Sequence, residues 1–184
     1  QRINIIQGGD NTPKPGNGFL NWRRSPTGKI IGVEWDATPH GDVSILEHPH
    51  WLTEAANENE KSPIDGLYVG GCDSIDQGTS DSSYATNNKK GSELAILIKK
   101  RVLDGGYFRT TSNLYVAKYN KRSSNVRDDW DNALKLSYYF NAEVNIEYTK
   151  IGIVSHFRDN KMYHMLKKRP TINLTSGDPT KNTQ

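Results

Sequence analysis

Cysteine is almost missing from this chain: Cys72 stands alone among 184 residues. One thiol excludes both a disulfide framework and a zinc site built from cysteines, and it fits a reducing compartment. Long apolar runs are missing as well. The longest, such as Leu94-Ala95-Ile96-Leu97-Ile98, have the length of a strand, so no transmembrane helix is encoded. No secretory signal is recognised in the opening residues. No Gly-x-x-x-x-Gly-Lys-Ser/Thr occurs, which excludes P-loop ATP hydrolysis. Neither sign of charge dominates: 24 Lys and Arg face 21 Asp and Glu, a net +3 that permits a polyanionic partner without demanding one. Hydrophobic residues reach only 34%, a low share for a globular protein. The length suits one domain with an appendage.

What is present divides into two textures. Residues 1–62 read as an N-terminal linker and strand-pair segment attached to a core at 63–184. In the first part, Asn11 to Gly18 is rich in turn formers. Ile30 to Trp35 and Val43 to Glu47 are strand candidates, with Thr38 to Asp42 expected to join them as a hairpin. Thr53 to Pro63 is polar and acidic and reads as an exposed connector. The core begins with Leu67-Tyr68-Val69-Gly70-Gly71-Cys72, a short apolar run of the buried-strand type. A Ser, Thr, Asp and Asn loop follows Asp73. Glu93 to Val102 is a second strand, with Leu94, Ile96 and Ile98 on one face and Ala95 and Leu97 on the other. Asp104-Gly105-Gly106 is a turn, and Asn113 to Tyr119 is a third strand. Three strands joined by turns imply an antiparallel meander.

A helix comes next. Ser123, Ser124 and Asn125 offer caps, and Asp128 and Asp129 suit a first turn. Val126, Trp130, Ala133, Leu134 and Phe140 recur at helical spacing, and Asn141-Ala142 closes the element. Val144 to Tyr148 is a fourth strand, which a helical crossover makes parallel to its neighbour. A second helix is expected from about Ile151 to Lys168, stopped by Pro170. The fold class is therefore α/β: an antiparallel three-strand meander plus a parallel crossover strand, flanked by helices. That is the skeleton of a ribonuclease-H-like mixed sheet.

Two acids stand out by position. Asp73 ends the first core strand and Glu147 lies near the end of the fourth, so neighbouring strands bring the two carboxylates together. Hard dications such as Mg2+ take one or two carboxylates, with water and phosphate oxygens. A pair of such ions activates water and stabilises a leaving oxygen in phosphodiester cleavage. The plainer reading makes each acid a surface residue at a strand end. Asp76 and Asp81 are candidate auxiliary ligands, although Asp, Ser and Gly are also ordinary turn residues. His40, His48, His50, His156 and His164 lack metal-site spacing with cysteine. Basic residues cluster at several places, among them Lys118, Lys121 and Arg122. Such clusters either form a solvated face or, if they share the face of Asp73, track phosphates.

Several segments taken in order resemble a known family. They are Gly66 to Asp73 with its following loop; Val116 to Tyr119 with Arg122; Leu136 to Ala142; and Val144 to Glu147 with Gly152 and Phe157. Together they resemble the nuclease domain of bacteriophage large terminases. Ile45-Leu46-Glu47-His48-Pro49 resembles the strand preceding that domain in the crAss-like type. The likeness covers about residues 42 to 170. It implies a ribonuclease-H-like endonuclease, dependent on Mg2+ or Mn2+ with two ions, that cuts concatemeric double-stranded DNA during genome packaging. It implies Asp73 and Glu147 as catalytic metal ligands, and Lys118, Lys121 and Arg122 against DNA. In the full-length protein it implies a portal and a small terminase subunit as partners, in the host cytoplasm and away from membranes. The family also carries a third acid on a later helix. Asp178 sits in a Gly-Asp-Pro turn and Asp159 on the second helix, and neither matches, so a C-terminal truncation is expected. Two alternatives stay open: a non-catalytic DNA- or capsid-docking module of the same fold, and a resolvase- or transposase-type nuclease.

Overall fold

The computed structural model describes residues 14–49, 63–75, 92–102, 113–147 and 151–168. Strands β1 (Gly16–Arg24), β2 (Ile30–Ala37), β3 (Val43–Ile45), β4 (Tyr68–Asp73), β5 (Leu94–Lys100) and β6 (Tyr115–Lys121) precede helix α1 (Val126–Phe140). Strand β7 (Glu143–Ile146), helix α2 (Ile151–Asp159) and a 3₁₀ turn at Tyr163–Met165 follow. The strands form one mixed sheet in the order β2-β1-β3-β6-β5-β4-β7. Within it, β4, β5 and β6 make an antiparallel meander, and β7 lies parallel to β4.

Alternation decides which face is covered. Along β5, Leu94, Ile96 and Ile98 are fully buried, while Leu97 between them is 40% exposed. That is the period of two expected of a strand with one face packed. Leu134, Leu136 and Phe140 of α1 and Ile153 and Phe157 of α2 are buried with them in the same core. Tyr68 and Phe140 meet edge to face at 5.1 Å, which fixes α1 across β4.

The helix start is tied to the sheet by a buried carboxylate. Asn125 caps α1 by accepting a hydrogen bond from the Arg127 amide at 3.2 Å. Asp129, one turn in, is completely buried. It accepts from the Tyr119 hydroxyl at 2.5 Å, the Ser123 hydroxyl at 2.6 Å and the Ser123 amide at 2.9 Å. Those bonds join β6, the connection and α1 in one knot, and burial together with the Asp129 carboxylate pushes the Tyr119 phenol upward. At the other end Asn141 adopts the left-handed conformation, φ 47°, with amide bonds back to Ser137 and Tyr138. This ends α1 within one residue and lets β7 begin at Glu143.

The long β1–β2 hairpin packs over α1 on the covered side. Trp22 donates its indole N–H to Asp131 at 2.9 Å and stacks edge to face on Tyr138 at 5.7 Å. Lys135 also bonds Asp131, at 2.8 Å. Burial alone raises the Asp131 pKa, but its bonds to His156, Lys135 and Trp22 outweigh that and bring the carboxyl down to about 2. Beyond β3, Lys100 is buried and pairs with Glu47 at 2.5 Å.

Three sequence expectations change. Val43 to Glu47 does not form a hairpin with Ile30 to Trp35; both β2 and β3 pair with β1, which lies between them. The stretch read as turns therefore enters a strand at Gly16. Gly41 is what permits the Thr38 to Asp42 connection to cross it, because a Cβ there would overlap the backbone of Gly18. The second helix ends at Asp159 rather than Lys168, since Lys161 takes φ 61° and breaks the helical path. Leu166 then runs beside β7, bridging Val144. Core strand boundaries shift by one or two residues. The acidic connector at 53–62, the turn at 104–106, Pro170 and the tail lie outside the described residues. Among the described residues no helix is long and apolar enough to cross a membrane.

Two outcomes follow from these contacts. Replacing Asp129 by Ala strands the Tyr119 hydroxyl and the Ser123 donors, so chemical denaturation should show a loss on the order of 3 kcal/mol. His48 gives a pH dependence. Its Nε2 faces the Lys14 carbonyl at 3.1 Å, which only accepts, so Nε2 carries the proton and Nδ1 accepts from the Tyr139 hydroxyl at 2.9 Å. Burial, opposed by the Lys14 bond, holds its pKa below the ordinary 6.5. The neutral form thus belongs to the folded state, and its contribution is complete above 6.5 and lost as pH falls through the lower folded value. Thermal melts from pH 7.5 to 5 should show this decline, and His48→Gln should flatten it.

Candidate functional site

The parallel register of β4 and β7 runs Val69↔Glu143, Gly70↔Val144, Gly71↔Asn145 and Cys72↔Ile146. Asp73 and Glu147 each follow the last registered pair, Cys72↔Ile146, by one residue: Asp73 ends β4 and pairs with Ala95 of β5, while Glu147 comes just after the end of β7. Both are exposed, and both have the parity of the face opposite the helices. Tyr68, Gly70 and Cys72 point into the core, while Val69, Gly71 and Asp73 alternate outward.

Packing behind the strand fixes the exit of β4. Ser74 and Ile75 are buried. The Trp130 indole donates to the Ile75 carbonyl at 3.0 Å, tying the chain just after Asp73 to α1. Gly152 lets α2 lie flush on that indole, because a Cβ there would press into the Trp130 ring. Asp73 therefore leaves the sheet from a braced position. Its neighbour Cys72 is buried, and burial, with the adjacent Asp73 charge adding to it, pushes the thiol up to about 12.

The other expected site residues divide. Lys118 is exposed on β6, paired in register with Leu97 of β5 and Ser44 of β3. Lys121 bonds Asp42 at 2.7 Å, and Arg122 donates to the Ser92 carbonyl at 2.8 Å. These two cations stand at the same end of the sheet as Asp73 but are held by the chain itself. Asp76 and Asp81 lie outside the described residues. Glu93, which the sequence reading did not single out, is at this end as well and accepts from Asn120 at 3.0 Å. Its signal was parity: Glu93 continues the outward series of Ala95 and Leu97.

A Mg2+-type ion takes one or two carboxylates and fills its remaining positions with water and phosphate oxygens. Among the described residues no group of three or more His, Cys, Asp and Glu side chains is arranged to hold a metal ion. A pocket of about 310 Å³, lined by Asp65, Tyr68, Arg101, Asn141, Glu143 and His164 among others, opens at the opposite end of β4. Concavity and paired carboxylates are therefore at different ends of the sheet.

Comparison with protein-family models, curated proteins and solved structures finds no match.

The buried thiol gives a check on the geometry beside Asp73. Cys72 should react with an aromatic disulfide reagent at least about a hundredfold more slowly in the native protein than in denaturant, because the reacting species is the thiolate. Rapid native labelling would place Cys72 at the surface instead.

Proposed function

We propose that the chain is a metal-dependent DNA endonuclease of the ribonuclease-H-like type, the nuclease domain of a phage packaging terminase large subunit. The observation that carries this reading is that Asp73 ends β4 and Glu147 follows β7, each one residue past the last pair of the parallel ladder, Cys72↔Ile146. The meander with a parallel strand beside β4 also supports it, because that strand order is the one on which such a carboxylate pair is built. The segment-by-segment likeness to terminase nucleases supplies the substrate, concatemeric double-stranded DNA. In the full-length protein, the portal and small subunit are the proposed partners, and the host cytoplasm is the proposed location.

In this reading Asp73 and Glu147 hold Mg2+ or Mn2+ by their carboxylate oxygens, with Asp76 and Asp81 as candidate further ligands. Bound there, such ions supply a water nucleophile at neutral pH and charge stabilisation at the leaving oxygen. The chain's own part is geometric. The Trp130 bond to Ile75 holds the Asp73 end of β4, and the short reversal at Asn141 starts β7 at Glu143, four residues before Glu147. Lys118 offers a free cation to a phosphate two strands from Asp73.

A second reading is favoured by one observation: the described residues contain no three-ligand group. It makes the chain a DNA- or capsid-docking module without a working metal site.

Plasmid cleavage in Mn2+ separates the two. Asp73→Ala and Glu147→Ala should each lower cutting by a factor of about a thousand or more, while circular dichroism and melting temperature stay near those of the parent, since both side chains are exposed. Undiminished cutting by Asp73→Ala removes the site assignment. A parent chain that binds DNA but neither cuts it nor binds Mn2+ in titration calorimetry selects the docking module.

A further inference from the structure

The registers lay out the uncovered face of the sheet as a grid. One row reads Tyr115, Lys99, Val69, Glu143; the next reads Lys118, Leu97, Gly71, Asn145; the third reads Asn120, Ala95, Asp73. Charge is unevenly spread across it, with the exposed Glu93 just before β5 at the Asp73 end. The cations Lys99 and Lys118 stand on β5 and β6, and the acids Glu143 and Asp73 on β7 and β4. Apolar and aromatic surface lies among the cations: Tyr115 is 58% exposed, Leu46 61% and Leu97 40%. The Lys99 ammonium sits over the Tyr115 ring, 5.9 Å from its centre.

From this face we infer that the β5–β6 half of the open sheet binds a single nucleic-acid strand, with a base stacked on Tyr115 and phosphates on Lys99 and Lys118. The inference rests on the nuclease reading for the class of ligand and goes beyond it in the strand state. A duplex keeps the faces of its bases stacked inside and presents phosphates, so it has no use for an exposed ring beside two leucines. A single strand presents both phosphates and π-faces, and an aromatic platform edged with cations matches both. Charge complementarity sets the direction. The strand is drawn to the Lys99–Lys118 side and repelled by the carboxylates, so its backbone approaches Asp73 and Glu147 only where these are neutralised. From β6 to β7 the path crosses three strand spacings, about 14 Å.

The test is fluorescence anisotropy of the whole chain with a labelled short oligothymidylate and, separately, a labelled duplex, in EDTA so that nothing is cut. Tyr115→Ala should weaken oligothymidylate binding about tenfold, and Tyr115→Phe should stay within about twofold of the parent, because stacking needs the ring and not the hydroxyl. Lys99→Gln with Lys118→Gln should lower the salt slope for the single strand by about 1.4, two phosphate contacts at about 0.7 each. Melting temperatures check that these exposed substitutions leave the fold in place. An unchanged oligothymidylate affinity in Tyr115→Ala overturns the inference. An equal loss of duplex binding also overturns it, as the mark of a phosphate-only surface. Self-association in sedimentation that disappears in Tyr115→Ala overturns it too, by assigning the face to a second copy of the chain. The carboxylate reading fails separately: it falls if Asp73→Ala still cuts plasmid, whatever Tyr115 does.

Discussion

The Asp129 carboxylate is the constraint on which the rest of the arrangement hangs. Burying an ionisable group without partners is costly, and here the side chain meets two hydroxyls and an amide within hydrogen-bond reach. Those partners come from the end of β6 and from the connection that leaves it. The bonds therefore set both where α1 begins and how it lies on the sheet. With its start fixed by Asp129 and its end fixed by the left-handed Asn141, α1 spans the covered face and delivers β7 to the far side of β4. A different start would carry β7 out of register with β4, and Asp73 would face another residue of that strand.

The core of this fold was readable because its signals are local. The parity of Leu94, Ile96 and Ile98, the Asn125 cap, the helical spacing of Trp130, Ala133 and Leu134, and the brevity of the link to Val144 each depend on a few neighbouring residues. From them the meander and the parallel crossover strand follow. The N-terminal part was misread because its determinants are not local. Gly16, Asn17 and Gly18 look like a turn by composition, yet they form strand by pairing with Ile45, Ser44 and Val43 of β3, and Gly18 also with Ala37 of β2, partners that lie well outside any local window of sequence. The early end of α2 is similar: Lys161 in a left-handed conformation is uncommon for a residue with a Cβ, and nothing in its composition marks it. At the candidate site, Asp73 was legible as the acid that ends β4 and Glu147 as the acid just after β7. Glu93 was overlooked because its importance lies in parity across a strand boundary. The internal bonds of Lys121 and Arg122 were illegible because their partners, Asp42 and Ser92, are far away in sequence.

The same sheet carries two opposed electrostatic demands. Like charges side by side on adjacent strands work against pairing, and the proposed Asp73–Glu147 site would be such a placement. The structure offsets this by bracing the strands from behind. Trp130 anchors the β4 exit through the Ile75 carbonyl, Gly152 seats α2 on that indole, and the Lys167 amide bonds the Val144 carbonyl at 2.9 Å along the outer edge of β7. The stability of this end of the molecule comes from the covered face.

The parallel pairing of β4 with β7 also has a kinetic side. The meander closes through successive neighbours, whereas β7 meets β4 only after β5, β6 and all of α1 have intervened in the chain. Contacts so distant in sequence form late, since their loop entropy is spent before they reward it. β7 is also only four residues long and stands at the sheet's margin, where native segments open at low free energy. The proposed Asp73–Glu147 site therefore requires a docked crossover. Detaching that one short strand would dissolve it while leaving the meander whole, so site assembly and completion of folding are one event.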